Sequence, residues 1–375
     1  MYKIFVSGMA YDEGKSGISD YMNNVIAELV KNHQVDLLML ASDAEIFPVK
    51  SANLNFIKVS NKLGKPIFNM LWHLFILPGT IEKQKYDFVF LPAGNRRIMF
   101  KYLLPTLVTF HDLSQFHISA KYDGFRMFYI KKVIPLFLKK ADKIMVISKN
   151  TRDDLVKYYH FKTEELEVNY NGYDDKKYVL APKTRNYPLS LKKEYFLYIA
   201  RIEHPGKNHL RLIKAYERLS EDIKNEYDLV MPGKAWSGSD EIIEYLRNSR
   251  DKDKIHLPGF VANDVLLELY QHSSLYIFPS LYEGFGIPLI EAMACGIPVV
   301  CSNTSSLPEI GGDAVAMFDP YSIDSIRDTI ARVISDNKMQ QAMIENGLQR
   351  IKEFSWHKHA DKIISCFEEI NEQRK

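Results

Sequence analysis

The stretch FPSLYEGFGIPLIEAMACGIPVV, residues 278–300, decides how the chain folds. It begins in an apolar run (LYIFPS), turns at Gly284 and Gly286, and ends in a second apolar run (IPVVCSN). Pro288 suits the first helical position and Gly296 the position just past a helix end, which predicts a helix of about eight residues between two strands. A helix that short does not hold by itself and depends on its surroundings. Strand, glycine turn, helix, strand is the crossover unit of a parallel sheet. The start of such a helix offers backbone N–H groups and the positive end of a dipole, an outline suited to a diphosphate. Two carboxylates flank it: Glu283 just before the turn, and Glu291 in the expected first turn.

The alternation continues on both sides of this unit. Upstream, the strand-like runs YFLYIAR, YDLVMPG and IHLPGF alternate with the helical runs NHLRLIKAYERLS, DEIIEYLRNSR and NDVLLELYQHS. Downstream, helices are expected at 322–334, 337–352 and 355–373. In the first half YKIFVSG, VDLLMLAS, NFIKVS, DFVFLPA, PTLVTFHD and KIMVISK read as strands. GISDYMNNVIAELVKNH reads as an amphipathic helix with Ile18, Met22, Val25, Ile26 and Leu29 on one face. NTRDDLVKYYH reads as a helix capped by Asn150 or Thr151. The basic segment 176–193, broken by two prolines, reads as a linker. The expected fold class is therefore α/β, with two doubly wound Rossmann-like domains. A chain of 375 residues accommodates two such cores. Ligands of these sheets bind beyond the carboxyl ends of the strands, so the loops that follow strands hold the candidate residues.

Composition narrows the function. With 46% hydrophobic and 26% charged residues the chain reads as globular, and it lacks an apolar run of membrane-spanning length. The opening MYKIFVSGMAYDEG reads as a strand and a polar turn rather than a signal peptide, and Cys295, Cys301 and Cys366 show no metal or disulfide spacing; the expectation is a cytoplasmic protein with reduced thiols. The net charge of +2 divides unevenly: residues 1–185 carry 27 Lys and Arg against 19 Asp and Glu, and residues 186–375 carry 22 against 28. A basic first half points to an anionic partner or surface, but no signature of nucleic-acid binding accompanies it. SGMAYDEGKSG after the first strand does not fit the dinucleotide fingerprint GxGxxG. Asp251-Lys252-Asp253 precedes a strand instead of following one and reads as solvated loop, not as a metal-bound donor site.

Glu283 and Glu291, with seven residues between them in PSLYEGFGIPLIEAMACGIPVV, resemble the EX7E signature of retaining GT-B glycosyltransferases of family 4. Other segments match the family in order. LYIARIEHPGKNHLRLIKAY resembles the loop whose Arg and Lys meet the donor diphosphate, here Arg201 and Lys207. IHLPGFVANDVLLELYQHS resembles the base-binding segment, with Phe260 and Val261 beside the nucleobase. GKSGISDYMNN resembles the glycine loop after the first strand, here Ser16-Gly17 where the family often has two glycines. LVTFHDLSQF resembles the strand ending in a His-Asp pair, which would bring His111 to the transferred sugar. The resemblance covers residues 1–373 and is densest in the second half.

That resemblance implies a GT-B fold, two Rossmann-like domains facing a central cleft. It implies an N-terminal acceptor-binding domain at 1–180, a C-terminal donor-binding domain at 181–354, and a last helix, 355–375, that crosses back to the N-terminal domain. The implied reaction moves a sugar from a UDP- or GDP-sugar to a hydroxyl of a saccharide or lipid-linked saccharide, with retention, in bacterial surface polysaccharide or glycan synthesis. Glu283 and His111 would serve the reacting sugar. Arg201, Lys207, Gly284, Phe285, Gly286, Glu291, Phe260 and Val261 would bind the donor, and Ser16 and Gly17 would form the acceptor-side loop. No cofactor and no metal are expected, because the two cations can neutralise the leaving diphosphate. The segment 121–143 holds seven basic residues against two acidic, interleaved with Phe125, Phe128, Tyr129 and Phe137. It reads either as a helix for peripheral contact with an anionic membrane or as a core helix with a solvated basic face. Two alternatives stay open: an inactive GT-B scaffold that binds nucleotide-sugars, and a GT-B sugar synthase.

Overall fold

The computed structural model describes residues 1–82, 86–118, 124–181 and 188–374. Residues 121–123 of the basic segment and 182–187 of the linker lie outside the described residues. The chain divides into two compact units. The first holds Met1–Gln115, Ala120–Gly172 and Ser355–Lys375, and the second holds Phe116–Ser119 and Tyr173–Phe354.

In the first unit seven parallel strands form one sheet, in the order β3-β2-β1-β4-β5-β6-β7. They are β1 (Lys3–Ser7), β2 (Gln34–Leu40), β3 (Leu54–Val59), β4 (Phe88–Leu91), β5 (Thr106–Phe110), β6 (Lys143–Val146) and β7 (Leu166–Val168). Every residue of β4 and β5 is buried, as covering on both faces requires. Helix α1 (Gly17–Leu29) buries Ile18, Met22, Val25, Ile26 and Leu29, with Tyr21 on the same side. Helix α2 (Pro66–Phe75) follows β3, and a helix–π-helix–helix run covers Gly124–Phe128, Tyr129–Val133 and Ile134–Leu138. Helix α3 (Lys149–Tyr159) is capped by neither Asn150 nor Thr151 but by Ser148, whose Oγ accepts the Thr151 amide at 3.0 Å. The Thr151 hydroxyl is turned away to donate to the His111 carbonyl at 3.0 Å.

The second unit repeats the plan with six parallel strands in the order β10-β9-β8-β11-β12-β13. These are β8 (Glu194–Leu197), β9 (Tyr227–Val230), β10 (Ile255–His256), β11 (Leu275–Phe278), β12 (Val299–Ser302) and β13 (Val315–Phe318). The last of them was not anticipated as a strand: it is a four-residue edge whose half-buried and buried residues alternate too briefly to mark it. Helices α4 (His209–Glu217), α5 (Asn263–His272) and α6 (Ile287–Ala294) lie in this unit. Helix α7 (Trp356–Gln373) belongs to the first unit, where Phe367 stacks on Phe88 with centroids 4.5 Å apart. Its His359 ring bridges the Tyr21 hydroxyl at 2.8 Å and the Tyr170 carbonyl at 2.9 Å. Among the described residues no helix is long and apolar enough to cross a membrane.

Candidate active site

Strand order in the second sheet reverses between β8 and β11, which places a crevice beyond their carboxyl ends. The loop after β8 carries Arg201 and Lys207, and the loop after β11 carries Glu283 and the glycine turn. These two loops are tied together by the backbone. Leu281 N donates to the Gly206 carbonyl at 3.0 Å. Asn208, left-handed at φ 60, donates both amide hydrogens, to the Pro279 and Pro320 carbonyls at 3.0 and 2.8 Å. The buried Tyr198 hydroxyl donates to the Lys207 carbonyl at 2.8 Å. Within this frame Lys207 Nζ sits 2.6 Å from Glu283 Oε1, with both side chains only 20% and 16% exposed. The predicted diphosphate lysine and the predicted sugar carboxylate therefore form one ion pair.

The turn itself is fixed by sterics and by a serine loop. Gly286 has φ +105, and a Cβ there would lie 2.9 Å from Leu307 Cδ2. Residues 303–306 after β12 then clasp the turn. Ser305 Oγ accepts the Glu283 amide at 3.0 Å, Ser306 Oγ donates between the carbonyls of Glu283 and Phe285 at 3.0 and 2.8 Å, and Thr304 Oγ1 donates to Leu281 O at 3.1 Å. Sequence reasoning missed these three hydroxyls; the run NTSS directly after a strand was the available signal. Phe285 is buried against Phe354, and Tyr282 stacks on His117 at 4.3 Å.

Two details of the short helix differ from the expectation. Its eight residues start at Ile287, so Pro288 is the second residue and Glu291 the fifth, in the second turn rather than the first. Pro288 carries no N–H and Leu289 N donates to Gly286 O at 3.0 Å, so neither residue offers the turn a free amide. Glu291 is anchored from α5: Tyr270 Oη donates to its Oε2 at 2.9 Å. Burial holds the Tyr270 phenol well above its ordinary pKa, so it stays protonated and remains a donor.

Arg201 lies over the Trp236 ring at 5.1 Å and pairs with Glu203 at 3.2 Å. It is not in the Lys207–Glu283 pair. Phe260 is 80% exposed and Val261 is half-buried, in the loop after β10. Gly259, just before them, lines a groove of about 550 Å³ with Ile202, Gly233, Ala235 and Leu257.

In the first unit, Ser16 and Gly17 begin α1. Ser16 Oγ is buried without a hydrogen-bond partner, and a Cβ on Gly17 would meet nothing within 4 Å. His111, after β5, is buried, with Nε2 2.6 Å from the Pro92 carbonyl and its ring edge-on to Tyr21 at 4.7 Å. Burial pushes its pKa down to about 4. At neutral pH it is therefore uncharged, with Nε2–H donating to Pro92 and Nδ1 left as an acceptor.

Asp251 is a correction. It is buried and accepts from the fully buried Lys224 ammonium at 3.1 Å, so the DKD segment is half internal ion pair and not solvated loop. A buried lysine needs a counter-charge, and the sequence spacing alone could not reveal one 27 residues away. Among the described residues no group of three or more His, Cys, Asp or Glu could hold a metal ion.

Comparison with known proteins identifies the family and the fold. Residues 182–350 match the family described as Glycosyl transferases group 1, and residues 15–177 match Glycosyltransferase Family 4. The chain is 30% identical over 266 residues to the O-antigen chain mannosyltransferase B of Escherichia coli, covering 70% of this chain and 69% of that protein. It is 25% identical over 357 residues to an enzyme of Campylobacter jejuni named N-acetylgalactosamine-N,N'-diacetylbacillosaminyl-diphospho-undecaprenol 4-alpha-N-acetylgalactosaminyltransferase, covering 92% of this chain and 94% of that one. Sucrose-phosphate synthase from Thermosynechococcus elongatus shares the fold over 100% of both chains, with a TM-score of 0.79 at 18% identity. The chain has the GT-B fold and belongs to the family 4, group 1 glycosyltransferases, retaining enzymes that move a sugar from a nucleotide-sugar donor to a glycan acceptor.

Proposed function

We propose that this glycosyltransferase moves a hexose, mannose first among the candidates, from a UDP- or GDP-sugar to a hydroxyl of a saccharide or lipid-linked saccharide in bacterial surface polysaccharide synthesis. The names of the Escherichia coli and Campylobacter jejuni relatives support that class of sugar and acceptor. The observation that carries the reading is the Lys207–Glu283 pair beside the start of α6. A diphosphate arriving at the turn offers Lys207 a new anion and releases Glu283 to hold sugar hydroxyls and the positive charge that grows at the anomeric carbon. Arg201, Lys207 and the amides of the Gly284–Phe285–Gly286 turn are then preorganised against the negative charge of the leaving diphosphate. We assign Glu291 to the ribose, Phe260 and Val261 to the base, His111 to the transferred sugar, and Ser16 and Gly17 to the acceptor side. In this reading residues 1–180 take the acceptor and 181–354 the donor.

The enzyme would work at the cytoplasmic face of a membrane, touching anionic lipid through 121–143. Phe125, Phe128 and Leu136 are 57%, 60% and 59% exposed there, a poor fit for a core helix. Flotation with anionic liposomes tests that contact, and protein that stays at the bottom at low salt removes it. For the reaction, a panel of UDP- and GDP-sugars is assayed for slow donor hydrolysis and thermal shift. Hydrolysis of one donor class, lost in Glu283→Ala with folding intact, is the expected result. No hydrolysis and no shift with any donor overturns the proposal.

A further inference from the structure

A second set of polar groups in the first unit takes no part in the donor chemistry. Strand order there reverses between β1 and β4, and the loop after β4 carries Arg96 and Arg97. Arg97 Nε donates to Asn69 Oδ1 on α2 at 2.5 Å, and Nη1 donates to the Arg96 carbonyl at 2.9 Å. Among the described residues no carboxylate pairs with Arg97. Its electrostatic neighbours are instead Arg126, the phenol of Tyr129, and Arg96, which itself pairs with Asp12 at 3.8 Å. A half-buried guanidinium whose own hydrogen bonds reach only a neutral amide and a carbonyl is costly unless an anion completes its set.

Tyr129 points to the same need. It is 6% exposed, and its Oη is buried with no hydrogen-bond partner. It heads the π-helical turn Tyr129–Val133, a geometry that recurs at functional sites. Burial pushes the phenol up to about 12, so it remains a donor. Guanidinium and phenol together offer donors in excess, and an oxyanion is the ligand that satisfies both. Arg96 also neighbours His111 electrostatically, which puts this cluster near the strand ends where the acceptor side was assigned. Around it Phe68 and Leu71 on α2, and Phe125 and Phe128 on the helix before Tyr129, stand exposed.

We propose that Arg97 and Tyr129 form an oxyanion subsite for the phosphate or diphosphate that joins the acceptor saccharide to an apolar chain. This deepens the reading of a lipid-linked acceptor and rests on it. The chain would lie along the exposed apolar residues while the oxyanion takes the Tyr129 hydroxyl and the free Arg97 donors.

The test uses the full chain with the donor site filled by saturating UDP or GDP. Inorganic pyrophosphate and submicellar farnesyl diphosphate are titrated by calorimetry into wild type, Tyr129→Phe and Arg97→Lys. Farnesyl diphosphate is expected to bind at least about tenfold more tightly than pyrophosphate. Tyr129→Phe is expected to weaken both about tenfold, the scale of one hydrogen bond to a charged group. Arg97→Lys should weaken both further, with slow donor hydrolysis unchanged in either variant. Tyr129→Phe removes one oxygen and decides the matter even if Arg97→Lys does not fold. Wild type that binds neither probe, or Tyr129→Phe that binds both as wild type does, overturns the subsite. Equal affinity for the two probes assigns the oxyanion to a water-soluble acceptor and overturns the apolar chain. Loss of donor hydrolysis by wild type would strike the proposed reaction and leaves these binding outcomes separate.

Discussion

The strand-end loops of the two units treat charge in opposite ways. In the second unit each candidate ionic group has a protein partner: Lys207 with Glu283, Arg201 with Glu203, and Glu291 with Tyr270. In the first unit Ser16 Oγ, Asn95 Oδ1 and Tyr129 Oη are buried without partners, and Arg97 has a neutral amide where a carboxylate would serve. The candidate ions of the second unit are thus paired before a ligand arrives, whereas Arg97 of the first is not. A ligand must displace an internal contact on one side and supply a missing one on the other.

The sharpest way to break this comparison is at Glu283. Glu283→Gln should lower transfer by roughly 10²–10³, the scale for one preorganised electrostatic group in a transition state. Its affinity for nucleoside diphosphate should hold or improve, because the competitor for Lys207 is gone. Lys207→Ala should weaken that affinity more than Glu283→Ala does, and the reverse order in calorimetry would undo the division of roles.

Acid should separate the units next. Burial holds His73, His111 and His359 of the first unit at about 3, 4 and 4, and His209 of the second at about 3. These rings fold neutral, while in the unfolded chain they take up protons near 6.5. Their contribution to stability is complete above about pH 6.5 and is lost as pH falls toward 4. Three of the four lie in the first unit, so pH-resolved hydrogen exchange should show that unit opening first. Simultaneous opening would weaken the contrast.

Two glycines give the finest test. Gly286→Ala meets Leu307 and a positive φ, and should cost about 1–3 kcal/mol, read as a lower Tm. Gly17→Ala meets open space and should leave stability within about 0.5 kcal/mol of wild type, with Tm nearly unchanged. Acceptor transfer should still fall in Gly17→Ala while donor hydrolysis persists. If both variants melt alike, the space above Gly17 is not reserved for a ligand.

Much of this was legible in the sequence. Alternating apolar runs announced both parallel sheets because buried strands are apolar throughout. The pair Glu283 and Glu291 announced the family because a local turn and helix fix their spacing. What stayed hidden depends on partners remote in sequence. Nothing near Asp251 announces Lys224, and nothing near Glu283 announces Lys207, 76 residues before it. The hydroxyls of Thr304, Ser305 and Ser306 look like any polar loop until β12 aligns them with the turn. Helix register was a smaller loss: beginning α6 one residue earlier moved Glu291 into its second turn.

The masked cation at Lys207 also bears on selectivity in a cell crowded with anions. A bare ammonium beside a helix start would trap any phosphate, nucleotide or acidic metabolite that passed. With Glu283 already seated on it, a stray anion gains only the difference between two carboxyl-like partners. A ligand that brings hydroxyls for the displaced carboxylate as well as an anion for the lysine gains on both counts. Under the proposed roles of Lys207 and Glu283, the pair acts as a two-condition lock, and a nucleotide-sugar meets both conditions in one molecule.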